Sequence, residues 1–97
     1  MKHKEIYLAL KDAPKILAKG VPFSYKGIDM VVHKEWNYIQ HKFFSTKRYT
    51  VSECVTGYAV VYTYPSVDAA IEAAKEKLDD PVLYEKAKKF IEGVDKK

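Results

Sequence analysis

The spacing of apolar positions changes character along the chain. In KEIYLALKDAPKILAKG, Ile6, Leu10, Ala13 and Ile16 or Leu17 recur at intervals of three and four, the repeat of one helical face, so this stretch predicts an amphipathic N-terminal helix. Pro14 would kink that helix or restart it from a first turn, and Gly20 would end it as a left-handed C-cap. From residue 21 the period falls to two. Val21, Phe23 and Tyr25 share one side of a strand, and Ile28, Met30 and Val32 alternate with Asp29 and His33 along another that ends at His33. Lys26-Gly27 joins the two as a tight hairpin turn. Trp36, Tyr38 and Gln40 continue the alternation until Phe43-Phe44 breaks it, and an irregular loop follows at Ser45–Lys47.

RYTVSECVTGYAVVYTYPS predicts a second hairpin, turning at Thr56-Gly57. A two-residue turn there places Tyr49, Val51, Glu53 and Val55 on one face with Tyr58, Val60, Tyr62 and Tyr64, and predicts burial of Val51, Val60 and Tyr62. Glu53 is the misfit of that face and is expected at a wet margin. Ser66 then caps a helix whose stripe is Val67, Ala70, Ile71, Ala74 and Leu78, small enough to lie close to a sheet. Asp80-Pro81 opens a last helix with Leu83, Ala87, Phe90, Ile91 and Val94 on one side and Gly93 as its stop. The predicted fold is a two-layer α+β domain: an N-terminal helix, an antiparallel sheet of about four strands, and two C-terminal helices.

A chain of 97 residues with 47% apolar content supports one modest core, so residues 1–97 are read as a single domain. The lone Cys54 forms no internal disulfide, and no apolar run is long enough to span a bilayer; a cytoplasmic protein without membrane contact is expected. His3, His33 and His41 lack metal-ligand spacing, Asp79-Asp80 reads as a helix cap, and the four glycines form no phosphate loop. No catalytic residue, metal or cofactor is therefore expected, and the protein is read as non-enzymatic.

The motif YTVSECVTGYAV, followed by YPSVDAAIEAAKEKL, resembles small uncharacterised proteins of bacteriophages and prophages in which a W-x-V-T-H-x-x-T-G hairpin runs into a helix. Tyr49 stands in place of the Trp, Ser52 of the Thr and Glu53 of the His, while Thr56-Gly57 match. The resemblance implies a phage or mobile-element accessory protein that binds and inhibits a host enzyme or defence complex, in the manner of an anti-CRISPR protein. It implies no catalytic residue.

Two binding functions compete. Residues 1–50 carry ten Lys/Arg against four Asp/Glu, whereas residues 51–97 carry seven against nine, so the basic excess lies in the first half. Between His33 and Tyr49 lysines and Arg48 interleave with aromatic residues, the mixture that neutralises phosphate and stacks on bases, which makes nucleic acid one partner class. Eight tyrosines in so short a chain exceed what one core absorbs, and tyrosine suits a protein contact surface. The leading expectation is a protein-binding module acting on a host or bacterial protein, with Tyr25, Trp36, Tyr38, Lys42, Lys47 and Arg48 as candidate binding residues. A homodimer through an unpaired edge strand is the remaining partner class.

Overall fold

The computed structural model describes residues 3–9, 15–37 and 39–95, the side chains of residues 94 and 95 excepted. The expected kink at Pro14 and the Tyr38 position lie outside the described residues. Among the described residues seven strands precede two helices: β1 (Lys4–Leu8), β2 (Ile16–Tyr25), β3 (Ile28–Lys34), β4 (Trp36–Asn37), β5 (Lys42–Phe43), β6 (Tyr49–Glu53), β7 (Ala59–Tyr64), α1 (Val67–Asp79) and α2 (Pro81–Asp95). All strand pairs are antiparallel, in a five-stranded sheet of order β1-β2-β3-β6-β7 and a separate β4-β5 ribbon.

The α+β class and the two C-terminal helices are as the sequence predicts, but the N-terminal helix and the four-strand sheet are not. Where the helix was expected, β1 pairs with β2, Lys4 opposite Gly20 and Leu8 opposite Ile16. Ile6 and Leu8 are buried while Tyr7 between them is exposed, and Ala18 is buried between exposed Leu17 and Lys19. That is a strand period on both sides of the break. A helix through this stretch would have carried Pro14 in its interior at a cost of about 3 kcal/mol, which disfavours the helical reading of the same apolar positions.

Gly20 is not a helix cap. A Cβ there would lie 1.8 Å from the carbonyl oxygen of Val32, so β2 passes against the β3 backbone at a distance only glycine permits. Before this point β2 pairs with β1; after it, with β3, Val21 opposite Val32 and Tyr25 opposite Ile28. The sheet rolls back on itself about this corner, and the far end of β1 reaches the turn after β6, where the Ala9 N–H donates to the Gly57 carbonyl at 3.0 Å. The predicted Lys26-Gly27 turn is present, with both residues at positive φ, 52° and 79°.

The roll buries β3 on both faces. Ile28, Met30 and Val32, with Val51 of β6, pack on Ala70, Ala74 and Leu78 of α1. Val31 packs on the opposite side with Ile6, Leu8 and Ala18. Alanines let α1 approach closely, and Ser66 caps it by accepting the Ala69 N–H at 3.1 Å. Asp80 accepts the Val82 N–H at 2.9 Å in the corresponding role for α2, which continues past Gly93 to Asp95.

The second hairpin is paired as expected but differs in register and turn. Tyr49 faces Tyr64, yet Val51 faces Val61 and Ser52 faces Ala59, because two irregularities interrupt the ladder. Val51 is buried and Val60 half-buried, while Tyr62 is 65% exposed. The turn spans Cys54–Thr56, and Glu53 makes it: its carboxylate accepts the N–H groups of Val55 and Thr56, each at 2.7 Å. The residue expected at a wet margin is buried because the backbone supplies its partners.

Candidate functional site

Four of the six expected binding residues, Trp36, Lys42, Lys47 and Arg48, belong to the β4-β5 ribbon and the loop that follows it. Tyr38 lies outside the described residues. Tyr25 is at the other end of β3, about 20 Å away by strand rise alone. It donates to Asp79 at 2.6 Å, a bond that raises the phenol above its ordinary range, and Asp79 also pairs with Lys26 at 3.1 Å. Tyr25 thus fastens the first hairpin to the C-terminal end of α1.

Within the ribbon most of the expected chemistry is turned inward. Trp36 meets Phe43 edge-on at 5.0 Å, and Phe43 meets His33 at 6.3 Å. Arg48 pairs with Glu35 at 2.8 Å while its guanidinium lies 4.2 Å from the centre of the Phe44 ring. Lys34 donates to the Thr46 carbonyl at 3.0 Å and sits 4.6 Å from the Tyr49 ring centre. Lys42 and Lys47 are exposed, with no ion pair among the described residues. Two cations and a half-buried tryptophan make a smaller electrostatic surface than the sequence suggests.

A different surface carries the exposed apolar area. Between α2 and the β6-β7 hairpin runs a groove of about 410 Å³, floored by Ile28, Val60 and Leu78 and walled by Ala87 and Ile91. Tyr58 and Phe90 stand at its mouth, 55% and 62% exposed, with ring centres 5.9 Å apart. The exposed charged residues lining it, Lys77 and Lys86, are cations, and its carboxylate, Glu53, is committed to the turn. Helical periodicity assigned Phe90 to the core. The missed signal was capacity: α2 presents a full apolar stripe, but none of its described side chains is fully buried.

Among the described residues no group of three His, Cys, Asp or Glu side chains is placed to hold a metal. The half-buried Cys54 thiol is pushed up by desolvation, which makes it a poor nucleophile near neutrality. His33 is buried between Ser52, 2.8 Å from Nε2, and the Lys34 carbonyl, 2.7 Å from Nδ1. Burial lowers its pKa from 6.5, outweighing the Lys34 bond. The folded state therefore resists the proton that the unfolded chain accepts: this contribution to stability is complete above pH 6.5 and is lost as pH falls below it. Urea midpoints measured down the acid range should fall less steeply for His33→Gln than for the parent over this window.

No protein-family model, curated protein or solved structure matches the chain.

Proposed function

We propose that the protein is a non-enzymatic binding module whose groove between α2 and the β6-β7 hairpin receives an apolar segment of another protein, flanked on that partner by acidic residues. The observation that carries this reading is the groove itself, with an apolar floor, two exposed rings at the mouth and, among the described residues lining it, lysines as the exposed charges. Acidic flanks complement Lys77 and Lys86 and steer the approach. The likeness to phage-borne accessory proteins supports a bacterial host protein as the partner, bound for inhibition. A fold without a transmembrane-length apolar helix among its described residues is consistent with a partner reached in water.

The test is affinity capture from bacterial lysate, followed by titration of the captured protein against purified variants. Phe90→Ala and Tyr58→Ala should each weaken binding by about 2 kcal/mol, roughly thirtyfold, as central ring contacts do, while Lys42→Ala leaves affinity nearly unchanged. A partner whose binding survives both ring truncations removes the groove reading. Tight, salt-dependent binding to an arbitrary oligonucleotide, abolished by Lys42→Ala and Lys47→Ala together, would establish nucleic-acid binding instead.

A further inference from the structure

The opposite face of β3 holds a second cavity, of about 450 Å³, between the end of β1, the β6 and β7 strands and Trp36 of β4. Its wall is largely apolar, with a cluster of polar side chains set into it. Thr50, only 5% exposed, lines it, and its Oγ1 has no hydrogen-bond partner among the described residues. An unpaired buried hydroxyl costs on the order of 1–3 kcal/mol, a cost that a hydrogen bond from an occupant would offset once the side chain turns toward it.

The neighbouring groups define what that occupant offers. The Lys34 carbonyl only accepts, so Nδ1 of His33 carries its proton, and Nε2 accepts the Ser52 hydroxyl. Ser52 is left with oxygen lone pairs on the cavity wall. Glu35 lines the same cavity; its charge is balanced by Arg48, and Thr63 donates to its other oxygen. Thr63 is a β-branched residue held at φ 68°, a conformation costing on the order of 1–3 kcal/mol and most often retained where function requires it. Trp36 and Tyr62 add aromatic surface at the wall, and among the described residues no lysine or arginine lines the cavity.

We infer that this cavity binds a small uncharged ring of nucleoside or monosaccharide size, presenting hydroxyl or amino donors to Thr50, Ser52 and Glu35 and an apolar face to Trp36 and Tyr62. Ser52 and Glu35 offer acceptors, the Thr50 hydroxyl can donate or accept, and no described residue of the wall is a free cation, so a neutral ligand carrying donors is favoured over a phosphate. The volume lies within the usual range of small-molecule pockets. The site is separate from the groove on the helix side.

The test uses the whole protein with adenosine, cytidine and methyl glucoside as probes and inorganic phosphate as the anionic control, read by ligand-detected NMR and calorimetry. At least one of the three rings should saturate the protein at millimolar concentration or below, with phosphate neither binding nor competing. Binding by the nucleosides alone identifies a nucleoside site, and binding by the glucoside alone a sugar site. Thr50→Val, which keeps the shape and deletes the hydroxyl, should weaken binding about tenfold without lowering stability. Tyr62→Ala, at an exposed position, supplies a second variant that leaves the core intact and should weaken binding similarly. Failure of all three probes to bind overturns the inference, as does binding that is unchanged in both variants.

Discussion

Gly20→Ala should cost the protein about 4 kcal/mol or more, enough to leave a domain of this size largely unfolded. The added methyl would fall 1.8 Å from the Val32 oxygen and 2.7 Å from its carbonyl carbon, with Val31 Cγ1 at 3.0 Å. The first two obstacles are backbone and cannot rotate away. Relief requires β2 to lift from β3 at the corner where the roll begins, which separates Ala18 from Val31 and loosens the second core. Gly93→Ala is the matched control, since nothing lies within 4 Å of its new methyl and its helical position favours alanine by up to about 1 kcal/mol. Urea denaturation of the two variants should place them on opposite sides of the parent. A Gly20→Ala protein with parental stability would contradict the close strand crossing.

Glu53→Ala should be the next most damaging change, at about 3 kcal/mol. The buried carboxylate accepts two N–H groups at 2.7 Å, and charge-assisted bonds of this kind are roughly twice as strong as neutral ones. Truncation leaves the Val55 and Thr56 amides without their partner and removes the brace that holds Gly57 against Tyr7 and Ala9 of the first strand region. Glu53→Gln retains one acceptor oxygen and should fall between alanine and the parent. Thermal or urea unfolding checks the order; equal stability of all three would mean that the turn holds itself.

The two strand-pairing signals were not equally readable. Lys26-Gly27 between alternating apolar runs specifies a hairpin locally, because positive φ at both turn residues is a property of the turn itself. Residues 4–20 satisfied a helical spacing only by joining Ile6 across Pro14 to Ile16, and short apolar runs fit either period. What decides is tertiary: Ile6 and Leu8 find their cover on the far side of β3, a contact that no local pattern encodes. The β6-β7 register was lost for a related reason. Two irregularities shift the pairing, and the extra turn residues are stabilised by the side chain of Glu53, which alternation alone treats as a misplaced charge. At the candidate site, the cations and aromatics that the sequence interleaves in and after the ribbon do meet in space, as Arg48 does with Phe44 and Lys34 with Tyr49, but local sequence could not show that Arg48 is already paired with Glu35. The groove depends on how far α2 stands from the sheet, and the second cavity on the roll, so neither was legible.

The shallow seating of α2 also sets how the molecule opens. With no described side chain fully buried, this helix should undock at a free energy well below that of global unfolding, and its amides should exchange with solvent ahead of those in β3 and β6. Under the proposed function, lifting α2 would widen the groove, so that an arriving apolar segment would enter a transiently expanded site and then draw the helix down over itself. Binding would convert the least protected element of the chain into part of a continuous core, and the helix rather than the sheet would register that the partner has arrived.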